Sequence, residues 1–212
     1  EPNIPGLGAQ FVFSDSEKSI LSFMPERGQD AKLAIENRNN ERENVALWKY
    51  LASYSRYILV GEHQVLKPKV SWSGSSHFFN TLNSGILTNL GTQTTLNEVG
   101  VRGYPNLAWL TKSAAVISAD YSIPVDQIFR GWGTTPAFLD QLYATGFVET
   151  GFLPTQTLGN IFRPSIVASV NLTTTLLIRA PLRFELSYAQ GLQTSYGGDT
   201  VIALGITADD LF

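Results

Sequence analysis

The feature that most constrains this chain is a repeat of two. From Pro181 to Gly191, Leu182, Phe184, Leu186 and Tyr188 alternate with Arg183, Glu185, Ser187 and Ala189. Successive side chains of a β-strand point to opposite faces, so this pattern predicts a strand with one apolar face. The same alternation sets Ile202, Leu204, Ile206 and Ala208 against Ala203, Gly205, Thr207 and Asp209. It sets Ala115, Ile117, Ala119, Tyr121 and Ile123 against Ala114, Val116, Ser118, Asp120 and Ser122. Leu142, Ala144, Gly146 and Val148 face away from Gln141, Tyr143, Thr145 and Glu149, and Trp48, Tyr50, Ala52 and Tyr54 oppose Lys49, Ser53 and Ser55. Weaker strands fit residues 9–13, 31–35, 66–72 and 166–177, and helical periodicity is hard to find. The sum is about nine strands of roughly 8–14 residues, joined by short turns and long polar loops.

Two architectures suit that pattern. A soluble β-sandwich buries the apolar faces in a core, whereas a transmembrane β-barrel turns them to lipid around a polar lumen. Three features favour the barrel. The opposite faces carry small and ionisable residues such as Arg183, Glu185, Asp120 and Glu149, Tyr and Trp sit near strand ends, and the chain stops on Phe212 directly after a strand. Composition agrees: 16% of the 212 residues are charged and 43% hydrophobic, where a soluble domain carries roughly 25% charge. Ser, Thr, Asn, Gln and Gly take the place of charge. This argues against disorder, and no run of about 18 apolar residues exists to form a membrane helix. A net charge of −3 gives no nucleic-acid footprint. With no cysteine there is no disulfide framework or thiolate chemistry. Glu1-Pro2-Asn3 has neither the basic start nor the apolar stretch of a signal peptide, so the sequence reads as mature or as beginning inside a longer chain.

Residues 37–44 are charged and Asn-rich, as at a hairpin tip, and residues 70–97 hold no Asp, Glu, Lys or Arg. Loops of such length are usually functional. Within a single 1–212 unit, residues 74–110 read as a long loop that carries Val101-Arg102-Gly103-Tyr104 near its end.

That tetrapeptide resembles the V-R-G-[FY] motif of the BamA-type outer-membrane assembly and transport superfamily, which includes TamA and the two-partner secretion transporters. Further pieces follow in the family's order: Asp120-Tyr121-Ser122-Ile123-Pro124, Phe147-Val148-Glu149-Thr150-Gly151, the strand from Pro181 to Gln190, and the closing aromatic Phe212. The resemblance runs from Val101 to Phe212. The segment from Arg130 to Pro136 looks most like the subgroup, within the bacterial surface antigen family, whose barrel follows a TolB-like propeller. It implies an all-β, antiparallel transmembrane β-barrel of about sixteen strands, of which about nine C-terminal ones are present. The remainder would come from missing N-terminal strands or from another chain that closes the barrel.

The resemblance also implies roles. The loop would fold into the lumen, where Arg102 meets inner-wall partners Asp120 and Glu149; a guanidinium can bridge two carboxylates. Gly103 would allow close backbone approach or positive φ, and Phe212 would be a C-terminal assembly signal. The implied function is insertion or translocation of polypeptides at the bacterial outer membrane, with outer-membrane lipid and periplasmic or complex-forming proteins as partners. Alternatives are a passive pore or membrane anchor for a partner module, or a soluble β-sandwich binding module.

No catalytic, cofactor or metal site is expected. His63 and His77 are the only histidines and no close acidic pair stands at ligand spacing. Neither a nucleophile elbow nor a phosphate-binding loop is present. Gly197-Gly198-Asp199 reads as a turn, and Asn171-Leu172-Thr173 as a sequon lying within a strand.

Overall fold

The structure, a computed structural model, describes residues 6–19, 22–40, 45–80, 101–104, 110–131, 137–155, 159–176 and 180–208. The alternating segments become nine antiparallel strands: β1 (Gly6–Ser14), β2 (Gly28–Asn40), β3 (Val45–Gly61), β4 (Gln64–Asn80), β5 (Leu110–Gly131), β6 (Ala137–Thr155), β7 (Gly159–Leu176), β8 (Ala180–Gly191) and β9 (Thr200–Ala208). They pair in chain order, β1 to β9, in one sheet. Several outrun the sequence-based lengths: β3 spans 17 residues and β5 spans 22. β4 carries on through residues 74–80, which had read as loop because Ser and Gly weaken the apolar signal there.

Register aligns the alternation across the sheet. One row runs Phe13, Ala31, Tyr54, Val70, Ile117 and Thr150, strand by strand from β1 to β6. Because a one-residue slip would flip every side chain, this alignment gathers apolar residues on one face. That face is open: Phe11, Leu33, Tyr54, Val70, Ile117, Val148, Ile166, Leu186, Ile202 and Leu204 are all exposed.

The opposite, polar face is the covered one. Ser55, Ser71, Ser122, Gln141, Ser165, Ser169 and Asn171 are buried on it. Hydroxyls and amides on this face pair across or along strands, as in Ser122 Oγ with Thr145 Oγ1 at 2.9 Å and Asn171 Nδ2 donating to Ser169 Oγ at 3.0 Å. Such pairing offsets the cost of removing polar groups from water. A small apolar cluster of Phe147, Val167 and Ala189, with Val201 against it, lies on this face across β6–β9. Elsewhere on this face a loop residue, Phe23 between β1 and β2, stacks on Tyr143 of β6 with ring centroids 4.1 Å apart.

The expected transmembrane β-barrel is corrected on this point. Closure requires the first and last strands to pair, and the sheet instead ends at β1 on one side and β9 on the other. A chain of nine strands with antiparallel neighbours also leaves β1 and β9 running in the same direction, unlike any pair the sheet contains. Period-two alternation misleads here because an amphipathic sheet carries the same signature open or closed. No helix among the described residues is long and apolar enough to cross a membrane.

Candidate functional site

The polar face is most elaborated where residues 101–104 lie on it. Gly103 adopts φ +83°, and a Cβ there would stand 2.5 Å from the Gly191 nitrogen, so only glycine fits. Gly151 on β6 makes a matching gap: a Cβ at that position would fall 2.5 Å from Cγ2 of Val101. These two glycines let the loop backbone reach the sheet.

Polar groups then fix it. The Arg102 N–H donates to Glu149 Oε1 at 2.5 Å, and Ser165 Oγ donates to the same oxygen at 3.1 Å. Asp199 N–H donates to the Gly103 carbonyl at 2.9 Å. Tyr104 is buried, its hydroxyl donating to the Pro164 carbonyl at 2.6 Å and accepting from the Gln193 N–H at 3.2 Å. Four residues thereby tie together β6, β7 and the β8–β9 connection. That connection holds a short 3-10 turn over Thr194–Tyr196, closed by Gly197 in the left-handed region.

The loop's cationic neighbours lie on aromatic rings. The Arg102 guanidinium is 4.1 Å from the Phe147 ring centroid, and that of Arg163 is 5.6 Å from Tyr104's. Placing a guanidinium over a ring face is favourable in a partly desolvated site. Of the two acidic residues named with Arg102, Glu149 meets the loop through the Arg102 backbone. Asp120 lies opposite Phe147 in register and makes itself felt electrostatically. Burial raises the Glu149 carboxyl above its ordinary value, and Asp120 adds to that; Arg102 and the hydrogen bonds from Arg102 and Ser165 oppose it. Phe212 lies outside the described residues.

A second polar group lies alongside. Lys67, opposite Asp120 in register, holds its Nζ 4.8 Å over the Tyr57 ring, and Tyr57 Oη donates to Asp30 Oδ2 at 2.7 Å. Burial lowers the Lys67 ammonium, and Lys69 and Arg183 lower it further, against Asp120 and Asp30. Burial also raises the Tyr57 phenol, reinforced by its bond to Asp30. Sequence reasoning did not find Tyr57, Lys67 or Asp30 as a group, nor Phe147 and Arg163 as ring partners. Stacking of cations on rings leaves no periodic trace, whereas Gly151 and Gly191 were a readable hint of close backbone approach. Among the described residues, no three His, Cys, Asp or Glu side chains are grouped so as to hold a metal ion.

No family model matches this chain, and no curated protein or solved structure matches it either. The resemblance to the BamA-type superfamily is therefore corrected: it rested on short segments in a shared order, and the fold it implied, a closed barrel, is replaced by an open sheet. Polypeptide insertion or translocation at the bacterial outer membrane, and the outer-membrane location itself, fall with it. Both drew their physical basis from closure around a lumen. Of the polar residues that had suggested a wet lumen, Glu149 is instead held by the Arg102 N–H and the Ser165 hydroxyl beneath the chain's own loop.

Proposed function

We propose that the chain is a non-enzymatic association module, completed by further polypeptide that covers its apolar face and extends its open edges. The observation that carries this reading is the exposed face itself. Apolar and aromatic side chains from all nine strands lie on one side with solvent over them, among them Phe11, Leu33, Trp48, Val70, Ile117, Val148, Ile166, Leu186 and Ile202. Monomeric soluble proteins rarely expose contiguous apolar patches beyond roughly 300–600 Å², and larger ones mark interaction surfaces. Covering apolar area is favourable by about 25 cal/mol per Å². The braced polar face supplies rigidity, since residues 101–104 lock β6, β7 and the β8–β9 connection together, and a rigid face loses less entropy on association.

The test is solution behaviour. Lysine at Ile117, Ile166 and Leu186, three exposed positions on the apolar face, should abolish micelle uptake and association made through that face while leaving the β-sheet circular dichroism unchanged. If the parent chain stays monomeric, binds no detergent and matches the triple variant in sedimentation, the reading fails.

A further inference from the structure

Natural sheets blunt their edge strands with charge, proline or bulges, because an unpaired row of N–H and C=O groups recruits other strands. β9 has none of these devices. Thr200–Ala208 contains no charged residue and no proline, and it pairs with β8 from Gln190–Thr200 to Leu182–Ala208 without a register shift. Ile202 and Leu204 on it are 72% and 68% exposed. Its other face carries Val201, Ala203, Gly205 and Thr207, which are small or β-branched and would not obstruct a neighbour. The strand is also held in place, because the Asp199 N–H at its start is bonded to the Gly103 carbonyl.

The occupant follows from direction. Within one chain the other open edge, β1, runs parallel to β9, so pairing those two would create a parallel ladder in a sheet whose eight ladders are all antiparallel. A second copy turned about a two-fold axis normal to the sheet presents β9 in the opposite direction and keeps each face on its own side. Around a centre near Leu204, Ile202 would meet Ile206 of the other copy on the apolar face, with small residues opposite one another on the polar face. A two-fold pairing of this kind is self-complementary. We propose that β9 is a homodimerisation edge, pairing antiparallel with β9 of a second copy to make a continuous sheet. This rests on the association reading above and names its partner.

Because the chain contains no cysteine, single cysteines report cleanly. The full chain would be made as Ala203→Cys, Leu204→Cys and Gly205→Cys, with Val12→Cys on β1 and Ile117→Cys on the apolar face for comparison. Only a residue at the two-fold meets its own copy within the Cα separation of about 4.4–6.8 Å that a disulfide needs, so one β9 position should cross-link at least about tenfold more than either comparison variant. Ala203→Pro and Leu204→Pro supply a second measurement. Alternate residues direct their N–H toward β8 or toward the free edge, so one of the two should keep the parent circular dichroism and sediment as a monomer. Cross-linking that is absent, uniform or strongest at Val12→Cys overturns the proposal. If association persists through β1 or the apolar face in that case, the broader reading survives; a chain that neither self-associates nor takes up detergent overturns both.

Discussion

At the residue scale, Gly103, Tyr104 and Glu149 determine whether the loop stays on the sheet. Gly103→Ala puts a Cβ 2.5 Å from the Gly191 nitrogen at φ +83° and should cost about 1–3 kcal/mol in urea denaturation. Gly146→Ala, where nothing lies within 4 Å of the new Cβ, should leave the midpoint nearly unchanged. Tyr104→Phe removes a buried hydroxyl bonded to Pro164 and Gln193 and should cost about 1–3 kcal/mol, because the Gln193 N–H loses its acceptor while the Pro164 carbonyl is left with the Leu192 N–H alone. Glu149 gives a pH dependence of known sign. Burial, with Asp120, raises its carboxyl above about 4.5, so the folded chain holds that proton more tightly than the unfolded chain does. The stability from this group is full below the unfolded value and is lost as pH rises through the folded one. Relative to Glu149→Gln, the parent's denaturation midpoint should therefore fall as pH climbs above about 4.5; a difference constant with pH would refute the assignment.

At the element scale, the β3–β4 hairpin turns on two residues, Glu62 and His63, between the paired Gly61 and Gln64. His63 sits at φ +53°, and its Nδ1 lies 2.5 Å from Glu26 Oε1 in the β1–β2 connection. One side chain thus serves a tight turn and pins a neighbouring loop. Asn tolerates the left-handed region and a β-branched residue does not. His63→Asn should lose less than about 1 kcal/mol, whereas His63→Val should lose about 1–3 kcal/mol, as read from thermal midpoints of the two variants. The hairpin was only partly visible in the sequence: a histidine in the left-handed region carries none of the Gly or Asn signal that usually marks such a turn.

At the scale of the whole molecule, the two faces of the sheet exchange the usual roles. The polar face is covered and hydrogen-bonded, while the apolar face meets solvent. Register alone does this: once Phe11 is opposite Leu33 and Leu33 opposite Ala52, every apolar residue in those rows is committed to one side. No second layer of the described chain lies over that side, which is why association is the reading the fold supports.

Period-two alternation was enough to locate the strands and to say which side chains share a face, Asp120 and Glu149 on the polar face included. These are local properties, written in which neighbours along the chain are apolar. Where strands ended was less legible, as β4 shows, because Ser and Gly extend a strand without announcing it. Only the tertiary structure decided that the sheet stays open, that Arg102 lies over Phe147 while its backbone meets Glu149, and that Lys67, Tyr57 and Asp30 come together. Closure and cross-strand clustering depend on what the ends of the sheet and distant loops do in space, and an alternating pattern is identical whichever way they go.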